Sequence, residues 1–198
     1  MSKLAFCMKM DRIFFWKRTL TSTANNELRN RPSKVNERIS SVEWNVFFEK
    51  LNQNADSLLH VGFDKEGTPF FVKARESGNY IYIECCSPHF NYAPRAVRAD
   101  LRYNQEDQRA GRLYMMLIDV PIQHISKGFG NALMRGILRY AHIQGIDFLE
   151  GEQHWENEEQ RQRQISYYSK YGFDFIRDPE LRKTYLRLDL RKGIEPTD

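Results

Sequence analysis

The sequence has little cysteine, no clustered histidine and no long apolar run, and each shortage removes a class of protein. Three cysteines in 198 residues, Cys7 and the adjacent Cys85 and Cys86, do not make a disulfide framework. The number is odd, and neighbours in a strand point to opposite faces. A reducing, cytoplasmic setting is therefore expected. The five histidines are scattered, none with another three or four residues away, so metal-ligand spacing is lacking and no metal is expected. No window is apolar enough to span a bilayer. Near the N-terminus, LAFCM is too short for the core of a signal peptide, and Lys9 and Asp11 interrupt it.

What is present is unevenly charged. Residues 1–34 carry eight Lys and Arg against two acidic residues, a local net charge of +6 in a chain whose total is +4. This stretch is polar from Thr19 onward and holds Pro32, so 1–34 is expected to be a basic extension or linker, with the domain proper at 35–198. Its basicity admits contact with nucleic acid or an anionic surface. The alternative is a loosely docked terminus whose Phe14, Phe15 and Trp16 pack on the domain.

From Val35 the pattern is helical: Val35, Ile39, Val42 and Val46 recur at four-three-four spacing with Phe47 and Leu51 on the same face, and Ser33 is available as a cap, so a helix is expected over 34–52. Three β-rich runs follow, Leu58–Phe63, Pro69–Ala74 and Tyr80–Cys86, divided by short glycine-containing turns, as in an antiparallel meander. Ser87 to Ala110 reads as a long connection, a lid over a second substrate being one use for it. It admits either a short strand near Ala99–Tyr103 or a helix from Pro94.

The rest of the chain is organised around QHISKGFGNALMRGILRYA, residues 123–141. A strand from Leu113 to Val120 ends at Pro121, a loop carries Gly128 and Gly130, and a helix over 130–142 follows with Leu133, Met134, Ile137, Leu138 and Ala141 on one stripe and Gly145 as its cap. A glycine loop at a helix N-terminus suits an anion, because first-turn N–H groups and the macrodipole favour negative charge there. No Lys-Ser/Thr pair closes the loop as in a P-loop, and no third glycine completes a dinucleotide fingerprint. Downstream come a strand at 147–153, a helix capped by Asn157 and running to about Tyr171, a stop at Gly172, and closing strands at 173–177 and 184–190, the last alternating Leu186, Leu188 and Leu190 with charged residues.

The loop resembles the acetyl-coenzyme A loop of the GCN5-related N-acetyltransferase (GNAT) superfamily, Gln/Arg-x-x-Gly-x-Gly/Ala, with Gly128 and Gly130 at the small positions. The Gln/Arg position is Ile125, with Gln123, His124 and Lys127 nearby. ISYYSKYGFDFI, residues 165–176, is similar to the family's second signature, a helix ending in Tyr-x-x-x-Gly-Phe. The resemblance implies an α/β fold, a mixed and mostly antiparallel twisted sheet flanked by helices, and acetyl transfer from acetyl-CoA to a primary amine, of a small molecule or a protein. It implies cofactor contacts from the backbone of Ser126, Lys127, Gly128, Phe129, Gly130 and Asn131, with Ile118, Asp119 and Val120 lining the pantetheine arm where the central strand splays from its neighbour. Tyr168 takes the position of the family's thiolate-protonating tyrosine, with Tyr167 and Tyr171 as packing neighbours. Glu150 and Glu152, two apart on one strand face, are the base candidates beside Asp119. His124 reads as a solvated loop histidine. A coenzyme A sensor or interaction module without turnover is the alternative function, and a homodimer is allowed.

Overall fold

The computed structural model describes residues 40–93, 95–103, 111–181 and 183–193; the basic extension lies outside them. The elements are helix α1 (Ser41–Gln53), strands β1 (Leu58–Phe63), β2 (Pro69–Ser77), β3 (Tyr80–Cys86), β4 (Val97–Tyr103) and β5 (Arg112–Asp119), helix α2 (Phe129–Gln144), strand β6 (Phe148–Gln153), helix α3 (Glu158–Ser169), and strands β7 (Asp174–Asp178) and β8 (Lys183–Asp189). The fold is α/β, with one eight-stranded sheet in the order β1-β2-β3-β4-β5-β6-β8-β7. β5 and β6 run parallel, while β1–β2, β6–β8 and β7–β8 are antiparallel, so the sheet is mixed. By contact the described residues form two compact units, one of 40–75, 83–98 and 119–136, the other of 76–82, 99–118 and 137–193.

In the first unit, α1 starts later than its apolar spacing suggests. Ser40 is the N-cap, its hydroxyl accepting from the Glu43 amide while the Glu43 carboxylate accepts from the Ser40 amide. This capping box satisfies two otherwise orphaned donors and ends the helix there. The described helix thus begins at Ser41, and the expected start at Ser33–Lys34, with Val35 and Ile39, lies outside the described residues. Val42 and Val46 are exposed, and the buried face is Phe47 and Leu51, packed with Leu58, Phe71 and Cys86 and rimmed by Trp44, Phe48, Val61, Phe63 and Tyr92. Each such side chain contributes about 1.5–3 kcal/mol by leaving water. Gly136 lets α2 lie close on β2 and β3, since a Cβ there would sit 2.7 Å from Val72 Cγ1 and 3.0 Å from Ile83 Cγ2.

Of the two readings of the stretch from Ser87 to Ala110, the strand is the one found: β4 occupies Val97–Tyr103, two residues longer than expected, and the described residues 95 and 96 ahead of it are not helical. Its Val97, Ala99 and Leu101 are wholly buried and alternate with Arg98, Asp100 and Arg102, the period of a strand half in the core. In the second unit Leu149, Leu186, Leu188, Tyr171 and Phe173 are buried. Leu190 leaves the strand alternation for a single helical turn, Leu190–Lys192. The α2 stripe expected from the sequence is buried throughout, and Gly145, at φ +65°, ends that helix with the Ile146 amide bonded back to the Ala141 carbonyl.

Candidate functional site

The loop between β5 and α2 lies in the first unit. One helical turn, Ile122–His124, follows Pro121, after which Ser126 and Gly128 take positive φ angles of 67° and 100°. The Gly128 carbonyl accepts from the Ala132 amide at 3.1 Å, so the helix begins at the next residue. Added to Gly128, a Cβ would meet nothing within 4 Å; the space beside this helix start is open, and the macrodipole favours an anion in it.

A second loop holds this one in shape. The Lys65 amide, in the β1–β2 turn, donates to the Lys127 carbonyl at 3.1 Å, and Lys127 Nζ lies 3.0 Å from Glu66 Oε1. Asp64 Oδ1 accepts from the amides of Glu66 and Thr68, and its Oδ2 lies 2.6 Å from His89 Nε2. Asp64, Glu66 and His89 thus bring ligand-type atoms within 4.8 Å of one another, a juxtaposition that sequence spacing did not foresee. Both carboxylates already answer amide, ammonium or imidazole donors. The Lys127 ammonium is paired with Glu66.

Phe129 is 0% exposed, its ring against Phe70 and Phe90 at centroid distances of 5.8 and 5.6 Å, so only its backbone is available to a ligand. His124 is buried, not solvated: its ring packs on Phe90 and Phe129. Its pKa is held below the ordinary 6.5, first by burial and then by the Lys127 and His89 charges.

In the second unit, β5 and β6 pair from Arg112↔Phe148 to Met115↔Gly151, yet β5 continues as strand to Asp119. Past the last pair the two strands part. Gly151 permits the close approach just before the fork, where a Cβ would lie 3.1 Å from the Met115 carbonyl oxygen. Met116 and Leu117 are exposed at 48% and 44%, while Ile118 and Val120 are half-buried and Asp119 exposed. A strand edge that its neighbour no longer pairs can take an extended ligand with amide groups.

Glu150 and Glu152 share one face, opposite Arg187 and Tyr185 of β8. Glu150 Oε1 lies 3.5 Å from Arg112 Nη1 and 3.6 Å from Arg187 Nε. Lys183 Nζ lies 2.8 and 3.0 Å from the two oxygens of Glu152, and His154 Nε2 lies 3.5 Å from one of them. Each proposed base therefore already has a cationic partner. Tyr168 packs edge-on to Tyr167 and Phe173 at 5.1 and 5.4 Å, and burial pushes its phenol up to about 12, so it keeps its proton at neutral pH.

Similar solved structures are acetyltransferases. They include a putative GNAT-family acetyltransferase from Desulfovibrio desulfuricans (18% identity over 57% of this chain and 70% of that one, TM-score 0.46) and nourseothricin acetyltransferase (19%, 61% and 71%, TM-score 0.46). A third is the PaiA N-acetyltransferase of Thermoplasma acidophilum in complex with coenzyme A (14%, 56% and 61%, TM-score 0.44). No family model and no curated protein matches the chain. These are likenesses to other proteins. Among the described residues no helix is long and apolar enough to cross a membrane.

Proposed function

We propose that this protein transfers an acetyl group from acetyl-CoA to a primary amine. The observation that carries this is the fork of β5 and β6 after Met115↔Gly151. Parting parallel strands leaves backbone N–H and C=O groups on the β6 side of Met116–Asp119, and a pantetheine arm, with two amides and an apolar stem, answers both these groups and the exposed Met116 and Leu117. Ile118, Asp119 and Val120 continue that lining. The backbone of Ser126–Asn131 supports a pyrophosphate through the open space at Gly128 and the helix dipole; the Lys127 charge is shared with Glu66.

Acetyl-CoA supplies an activated thioester acyl group. The chain's residues orient it, accept a proton from the amine and return one to sulfur. The amine nitrogen forms the new C–N bond as the C–S bond breaks. Glu150 or Glu152, directly or through water, accepts the amine proton, and Tyr168 donates its phenol proton to the departing sulfur. The raised phenol value keeps Tyr168 protonated until the sulfur departs.

One observation favours a coenzyme A sensor without turnover instead: both carboxylates are ion-paired, to Arg112 and Arg187 or to Lys183. Calorimetric titration with acetyl-CoA, followed by a thiol-release screen over primary amines, separates the two. Transfer predicts binding, and turnover that Tyr168→Phe lowers while binding survives. The sensor predicts binding with no turnover for any amine. Absence of acetyl-CoA binding overturns both.

A further inference from the structure

Lys127 is the one charged side chain of ISKGFGN, residues 125–131, and it is engaged within the protein. Its Nζ lies 3.0 Å from Oε1 and 3.1 Å from Oε2 of Glu66, in the β1–β2 turn. Glu66 is itself placed by its surroundings: its amide donates to Asp64 Oδ1 at 2.9 Å, and its Oε2 lies 3.5 Å from His89 Nε2. Backbone joins the turn to the loop as well, through the Lys65 amide and the Lys127 carbonyl at 3.1 Å. All of these residues belong to the first unit.

We propose that Glu66 is a counter-charge that competes with the cofactor's pyrophosphate for the Lys127 ammonium, the ion pair giving way as the anion reaches the helix start. The proposal rests on the acetyl-CoA reading in taking the anion to be that pyrophosphate. Lys127 directly precedes Gly128, beside which a Cβ would meet nothing within 4 Å. A flexible stem carries its ammonium, so the charge can turn from Glu66 toward that open space.

Exposure decides which partner leaves. The Glu66 side chain is 49% exposed and that of Lys127 25%, so the glutamate can turn into water while the lysine stays at the loop. An ion pair this exposed contributes little and is easily given up, whereas an ammonium and a phosphate form a strong charge-assisted bond. The turn keeps its shape through the exchange. Asp64, with a side chain 0% exposed, still accepts from the Glu66 and Thr68 amides and still meets the His89 ring, and the Lys65–Lys127 backbone bond does not involve either charge. Shape and charge are therefore assigned to different carboxylates, Asp64 and Glu66. A singly charged anion gains one such bond and meets the Glu66 carboxylate beside it; a pyrophosphate brings several charged oxygens and displaces it.

The test is a double-mutant cycle on the full chain. Wild type, Glu66→Gln, Lys127→Met and the double variant are each titrated calorimetrically with acetyl-CoA and, separately, with inorganic pyrophosphate. The salt is about 0.15 M, where exposed charges more than about 8 Å apart are largely screened. Glu66→Gln is expected to tighten binding about threefold or more, and the gain is expected to vanish when residue 127 is Met. Melting temperatures near wild type show that the variants fold. Unchanged or weaker binding in Glu66→Gln overturns the proposal and leaves Glu66 a strut of the loop. An equal gain with and without Lys127 also overturns it, because Glu66 then acts on the anion directly. The two ligands keep the failures apart. Acetyl-CoA binding without the coupling overturns the counter-charge alone. Coupling with pyrophosphate but no binding of acetyl-CoA supports the counter-charge and removes acetyl transfer. Binding of neither ligand to any of the four proteins overturns both.

Discussion

The glycine loop before α2 and the open cavity at the ends of β6 and β8, lined by Glu152, Gln153, His154, Trp155, Lys183 and Thr184, each tie a lysine to a glutamate, to different ends. In the loop the side chains face inward or are spent on anchoring, Phe129 in the core, His124 among aromatic rings and Lys127 on Glu66, so what the loop offers a ligand is the helix start and its dipole. In the cavity the strand backbones are paired, Glu152↔Tyr185 and Gln153↔Thr184, and the charged side chains of Glu152 and Lys183 are paired with each other. A helix start tolerates exchange of most side chains around it, provided they hold the loop; a pair of side chains across two strands is lost with a single substitution.

The contrast breaks first at Phe129. Phe129→Ala empties a fully buried position and should cost about 3–5 kcal/mol of stability, read by denaturant unfolding, and acetyl-CoA affinity should fall with it. If affinity survives intact, the loop does not depend on its anchor. Next, Gly128→Glu places a carboxylate in the open space at the helix start, where nothing lies within 4 Å of the new Cβ. Acetyl-CoA affinity should drop on the order of a hundredfold, or about 2.7 kcal/mol, by calorimetry; unchanged affinity removes the loop from the site.

Tyr168→Phe should lower kcat about tenfold or more while acetyl-CoA affinity holds, since the phenol is proposed to act only on the departing sulfur. Equal kcat leaves Tyr168 a packing residue against Tyr167 and Phe173. Titration gives a smaller effect. His124 is held neutral below its ordinary 6.5 by burial, so the unfolded chain binds the extra proton. Its contribution to stability is therefore full above about pH 6.5 and declines as pH falls below that value. His124→Phe should flatten the stability profile between pH 7 and 5, measured by urea midpoints. At the cavity, Lys183→Met should change stability by less than about 1 kcal/mol, because Lys183 is 45% exposed. A larger loss there means that the Glu152–Lys183 pair holds the sheet.

Much of the fold was legible because its signals are local. The buried stripe of α2, Gly145 and Gly172 at positive φ, and the Asn157 cap that accepts from the Gln160 amide are each set within a few residues. Two elements were legible only in part. The period-two pattern of Val97, Ala99 and Leu101 admits the strand without excluding a helix, because prolines and arginines flank it. The Ser40–Glu43 capping box, which caps the described helix, competes in the sequence with a valine spacing that runs upstream of it.

The sequence by itself determined the strand–glycine loop–helix unit at 112–144, because glycine's tolerance of positive φ, the helical stripe and the strand run are properties of neighbouring residues. Only the tertiary structure decided what the side chains there do. It turned Lys127 onto Glu66, 61 residues away, and buried His124 beside Phe90. It also brought Lys183 to Glu152 across 31 residues of chain. Such pairings follow from strand register and from which charges can be desolvated together, and neither is written in the spacing of the residues themselves.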